Sequence, residues 1–90
     1  MNKSIYKYQL RVTSEQNVIL PKGSEILTVQ NQFEQAELWA LVDTETSEKE
    51  IRHIEIIGTG HPIDGNIQRL YISTFQIDGG NFILHAFERL

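Results

Sequence analysis

The run Asn81–Glu88 sets Phe82, Leu84 and Ala86 on one face of an extended chain and Ile83, His85 and Phe87 on the other. A strand with one solvated face alternates between apolar and polar side chains, and this one does not. Arg69–Ile77 repeats the pattern, with Leu70 and Ile72 against Tyr71, Phe75 and Ile77. So does Glu37–Asp43, with Leu38, Ala40 and Val42 against Trp39 and Leu41. A chain of 90 residues buries only about 60–65% of its unfolded surface and has one core. Two readings follow. In the first, the chain is a sandwich or barrel that leaves some apolar side chains in water, as most proteins do. In the second, one face packs on another copy of the chain. The expectation taken forward is the second, a homo-oligomer.

The whole chain reads as one all-β domain, 1–90. No stretch keeps apolar residues at helical spacing for three turns. Short β-branched and aromatic runs recur instead, divided by turn residues. Seven strands are predicted: Ile5–Val12, Asn17–Leu20, Glu25–Gln32, Glu37–Asp43, Glu50–Gly58, Arg69–Ile77 and Asn81–Glu88. Pro21-Lys22-Gly23 makes a turn after the second. Asp78-Gly79-Gly80 makes a tight hairpin between the last two. Thr44–Lys49 is an acidic loop, and Thr59–Gln68 is an irregular one with room for a single helical turn. The predicted architecture is a small antiparallel sandwich or partly open barrel of six to seven strands. Phe75 and Phe87 are assigned to its core.

Composition excludes several classes of function. With no cysteine there is no disulfide framework, no thiolate zinc site and no cysteine nucleophile. Four Lys and four Arg are scattered through a chain of net charge −4. General nucleic-acid binding needs a clustered basic face instead. The longest apolar run is Leu38–Val42, far short of the ~20 residues that span a bilayer. The start has no apolar signal-peptide core. A cytoplasmic place and no membrane partner are the expectations. His53, His61 and His85 form no pair at a ligand spacing, so no metal and no cofactor are expected. The acidic residues Asp43, Glu45, Glu48 and Glu50 lack a calcium-loop pattern and read as a solvated face. No nucleophile motif is present, so catalysis is the weaker class and no catalytic residue is assigned.

Gly58-Thr59-Gly60-His61 is the most distinctive segment. In the plain reading its glycines shape a turn. In the functional one, successive N–H groups form an anion-binding nest, joined by the Thr59 hydroxyl and the His61 ring. The segment lacks the Lys-Ser/Thr of a Walker loop and the helix of a dinucleotide fingerprint. Arg52, Arg69 and Arg11 are the further candidates for gripping an anion, since a guanidinium binds phosphate bidentately. Gln30 and Gln76 could read hydroxyls, amides or base edges, and Trp39 could stack on a base. His85 reads as a hydrogen-bonded core or interface histidine.

The order "YKYQL", "LPKGSEILTVQNQ", "LWALVD", "GTGHPI", "YISTFQ" and "LHAFE" resembles a family of small proteins of unknown function encoded largely by tailed bacteriophages. The resemblance runs from Tyr8 to Glu88. It matches Tyr8, Leu10, Pro21, Gly23, Ile26, Leu27, Val29, Gln30, Gln32, Leu38–Asp43, Gly58–His61, Tyr71, Ile72, Thr74, Gln76, His85, Phe87 and Glu88, and departs at Ser24 and Ser73, where Ala and Gly are expected. It carries no catalytic residue. It implies a phage or prophage gene acting in the cytoplasm of a host bacterium. Small proteins of that setting often antagonise host defence, by sequestering a nucleotide signal or blocking a defence protein. The resulting expectation is a non-enzymatic, homo-oligomeric module that sequesters a small anionic, phosphorylated ligand. The alternatives are an inhibitor that presents its acidic surface to a host defence protein, and a structural, virion-associated protein.

Overall fold

In the computed structural model, which describes residues 2–90, seven strands form two antiparallel sheets. They are β1 (Lys3–Gln9), β2 (Glu15–Pro21), β3 (Glu25–Gln32), β4 (Gln35–Asp43), β5 (Lys49–Gly58), β6 (Arg69–Ile77) and β7 (Phe82–Arg89). One sheet has the order β1-β4-β3, the other β2-β5-β7-β6. Neither closes into a barrel. All seven expected strands are present; β3 and β6 have the expected bounds, and the other five differ at one or both ends. β1 stops at Gln9 rather than Val12, because Leu10 turns inward, is buried, and donates its N–H to Ala36 O at 2.8 Å. The Gln16 amide then bonds both the N–H and the carbonyl of Arg11, so the bend at 10–14 has its own internal partners. Loop 59–68 forms turns and no helix.

The sheets share one core. Leu38, Val29 and Val42 of the three-stranded sheet and Leu20 and Ile54 of the other are the largest fully buried side chains. Leu10, Phe75, Leu84, Ala86, Ala36, Ala40 and Ile56 complete the cluster. Period-2 alternation accounts for these choices: on β4 the even positions 36–42 point inward, as a half-buried strand requires. Phe87 departs from its expected core position. It lies half-buried on the outer face of the four-stranded sheet, edge-on to Tyr71 at 5.7 Å and under the Arg69 guanidinium.

The two sheets meet along β3 and β6. Both strands carry an irregularity there, between Ile26 and Thr28 and between Tyr71 and Ser73. Such bulges bend a strand and increase its twist. No backbone ladder joins the two edges, so a side chain replaces it. Val29 N–H donates to Ser73 Oγ at 3.0 Å and the Ser73 hydroxyl donates to Val29 O at 2.6 Å, all in the interior.

The β3–β4 hairpin turns through Phe33 and Glu34, both at positive φ (54° and 64°). Asn or Gly is the usual occupant of such a turn, so its sequence gives little notice of it. Asn31 Oδ1 holds the Glu34 N–H, and the Glu34 carboxylate accepts the Asp78 N–H. The Asp78–Gly80 turn follows the expected hairpin, with positive φ at all three residues.

Ser73→Ala strands a buried N–H and C=O at the seam. The expected cost is about 1–3 kcal/mol, read as a lower urea midpoint with an unchanged slope.

Candidate functional site

A cavity of about 510 Å³ opens at one end of the sandwich. The bend after β1 supplies Val12, Thr13 and Ser14, the end of β5 supplies Ile56 and Gly58, and β7 supplies Phe82, Ile83 and Leu84. Thr59, His61 and Asn81 add polar groups. Of the sequence-predicted set, the cavity gathers Gly58, Thr59 and His61.

The segment 58–61 is a β-turn. His61 N–H donates to Gly58 O at 3.1 Å, and Gly60 has φ +86° at the third position, the one where a type II turn wants glycine. Thr59 N–H is bonded as well, to Ile83 O at 3.2 Å. The backbone nest is therefore not formed, since two of its N–H groups already serve the fold. Gly58 has a different reason to be glycine. A Cβ there would sit 3.2 Å from the His61 ring, so the bare backbone is what lets the imidazole lie against the turn.

The predicted arginines lie elsewhere: Arg52 and Arg69 are already engaged, and Arg11 lines a separate groove with Lys7. Arg52 sits between the sheets, where its guanidinium binds both Glu88 oxygens, Glu50 and the carbonyl of Ser24. Hydrogen bonding to Glu88 raises its pKa, with burial opposing. Arg69 lies on the outer face of the four-stranded sheet and donates to Glu55 at 2.7 Å. Gln30 donates to Thr28 Oγ1. Gln30 and Trp39 share the outer face of the three-stranded sheet, Trp39 between Lys7 and Thr28. Glu37 on that face is buried, and its Oε2 has no partner among the described residues. Gln76 is exposed near Gly80. The acidic loop is partly neutralised by a Lys22–Glu48 pair at 3.2 Å, and Glu50 by Arg52. Among the described residues no cluster able to hold a metal occurs, and no helix is long and apolar enough to cross a membrane.

Two arrangements were not anticipated. The first centres on Glu55, 3% exposed although on the outer face of its sheet. Arg69 and Arg89 grip its two oxygens, at 2.7 and 2.6 Å. Loop 59–68 folds over it, with Asp64 O accepting from Arg69. A charge set in the apolar run Ile54-Glu55-Ile56-Ile57 was the available signal, since a buried charge requires partners. The second is a chain of side-chain bonds beside the cavity: Thr59 Oγ1 to His85 Nε2 at 2.7 Å, His85 Nδ1 to Thr74 Oγ1 at 3.0 Å, and Thr74 Oγ1 to Tyr71 Oη at 2.7 Å.

Desolvation pushes the Glu55 carboxyl up, and the hydrogen bonds and charges of Arg69 and Arg89 outweigh it, so the pKa ends below the usual glutamate value. A depressed folded pKa contributes stability above the unfolded value and loses it as pH falls through the folded one. Glu55→Gln leaves two arginines short of a charge and is expected to cost about 3 kcal/mol at pH 7. The gap from wild type, measured by denaturant unfolding, closes in acid. A gap that stays constant down to pH 2 contradicts this assignment.

The comparisons with known proteins add a family and no function. No curated protein matches the sequence, and no solved structure matches it. A family model described as a domain of unknown function, DUF7352, matches residues 1–90, and the chain belongs to that family.

Proposed function

We propose that the protein is a non-enzymatic binding module that acts as a homo-oligomer and sequesters a small anionic ligand, with a phosphorylated nucleotide signal as the expected class. The carrying observation is the lining of the 510 Å³ cavity. That volume lies in the ~300–1,000 Å³ range of small-molecule sites. The chain holds twelve Asp and Glu, and none of them lines this cavity. Its polar groups are Thr13, Ser14, Thr59, His61 and Asn81, on otherwise apolar walls. A flat apolar moiety fits the walls, and an anionic group fits the donors. With Arg52 and Arg69 bound to carboxylates, recognition falls to these hydroxyl, amide and imidazole groups.

The oligomer is supported by exposed apolar side chains in neighbouring positions. Ile19 and Ile51, 63% and 67% exposed, are direct cross-strand partners. Val12 and Phe82 are exposed at the cavity itself, where a second copy would deepen the concavity. The resemblance to tailed-phage proteins supplies the setting, the cytoplasm of a host bacterium. An inhibitor that offers an acidic face to a host defence protein has less support, because Glu48 and Glu50 are already paired.

Native mass spectrometry of the protein purified from its host reports subunit number and any retained small molecule together. A panel of phosphorylated nucleotides in a thermal-shift assay provides the second reading, since ligand at 100 Kd stabilises by about 2.7 kcal/mol. The expected result is an oligomer stabilised by at least one of them, with the effect weakened in His61→Ala. A bare monomer, stabilised by no phosphorylated compound at millimolar concentration, overturns the proposal.

A further inference from the structure

We infer that His85 is a positioning residue for the cavity: its bond to Thr59 sets the direction of that hydroxyl and makes anion binding there depend on pH. The inference rests on the anion-binding reading of the cavity. His85 does not line the cavity; Thr59 does. The two are joined at 2.7 Å through Nε2, while Nδ1 lies 3.0 Å from Thr74 Oγ1.

Both bonds are compatible with either tautomer; in the one proposed here, Nδ1–H donates to Thr74 and Nε2 accepts from the Thr59 hydroxyl. Thr74 can then pass its own proton to Tyr71 Oη at 2.7 Å, and the exposed Tyr71 faces solvent with its own. In this state Thr59 turns its hydrogen away from the cavity and offers a ligand only lone pairs, which an anion avoids.

A proton on Nε2 reverses that bond. Nε2–H now donates to Thr59 Oγ1, and the Thr59 hydrogen is released. It has one protein acceptor in range, Ile83 O at 3.3 Å, a long contact that an anionic oxygen outcompetes, since hydrogen bonds to ionised acceptors are shorter and stronger. The bond from Nδ1–H to Thr74 is unchanged, so the rest of the chain tolerates either state. The cavity gains a donor and a neighbouring positive charge together.

The charged and titratable groups on the outer face around His85 are His53 and Glu55 of β5, Arg69 of β6, Arg89 of β7, and His61 and Asp64 of the loop, with the Tyr71 phenol on β6; His53 is bonded to Glu15, and Arg52 and Glu88 pair with each other on the inner face. Glu55 is held by Arg69 and Arg89, and both ring nitrogens of His85 are bonded to hydroxyls. His61 is the competing source of pH dependence, because it lines the cavity directly.

Inorganic sulfate, whose charge is constant over the range, is the probe, with Kd measured by calorimetry from pH 5 to 8, the span in which histidines change charge. Wild type is expected to bind about tenfold more tightly at the acid end, as one added charge-assisted bond implies. Thr59→Val keeps both imidazoles and flattens most of that slope; Thr59→Ser restores it. His61→Gln weakens binding throughout and keeps a slope. In the ligand-free protein, imidazole ¹⁵N shifts at high pH place the neutral proton of His85 on Nδ1. A Kd independent of pH, a slope unchanged in Thr59→Val, or a neutral proton on Nε2 overturns the inference alone. Binding absent at every pH overturns the anion reading of the cavity, and the inference with it.

Discussion

The fold depends on the seam between β3 and β6. Two sheet edges come together there without a ladder, and a buried edge leaves N–H and C=O groups that cost free energy unless they are bonded. The Ser73 hydroxyl serves both groups of Val29, and Asn31 reaches across to Gln76 O at 2.8 Å. With the edges tied, Leu38 and Val42 are brought over Leu20 and Ile54 into one core.

Having spent its core on the inner faces, a chain this small must deal with its outer faces differently. On the four-stranded sheet it folds loop 59–68 across Glu55 and ties the loop down through Arg69. The consequence reaches the candidate site. Arg52, Arg69 and Arg89 all serve carboxylates of the fold. A negatively charged ligand in the 510 Å³ cavity meets no arginine or lysine there, only hydroxyl, amide and imidazole groups, whose direction matters more than that of a guanidinium. That is why a hydroxyl held by an imidazole can control binding in a way that one more arginine would not.

Much of the fold was legible because strand periodicity is local. β3 and β6 have the bounds that their alternation and turn residues predict, and the alternation on β4 names the core positions Leu38, Ala40 and Val42. The turn at Phe33-Glu34 was illegible because neither residue favours positive φ; Asn31 and Asp78 hold it from outside. Phe87 was misassigned because β7 is apolar on both faces, and only the position of Arg69 and Tyr71 shows which face is outside. The fate of the arginines was equally hidden. Arg52 meets Glu88 thirty-six positions away and Arg69 meets Glu55 fourteen away, and no spacing rule in a β chain reports such pairs.

The Gly58–His61 segment shows how a motif can be right in place and wrong in mechanism. Each of its residues has a structural duty: Gly58 makes room for the imidazole, Gly60 takes the positive φ, and the Thr59 and His61 N–H groups close the turn and join β7. Those duties alone would account for the two glycines. They do not account for the side chains of Thr59 and His61, two residues that line the cavity. Binding variants should therefore change those side chains and leave the glycines alone, because a glycine substitution alters the turn, the ring beside it and the cavity wall at once.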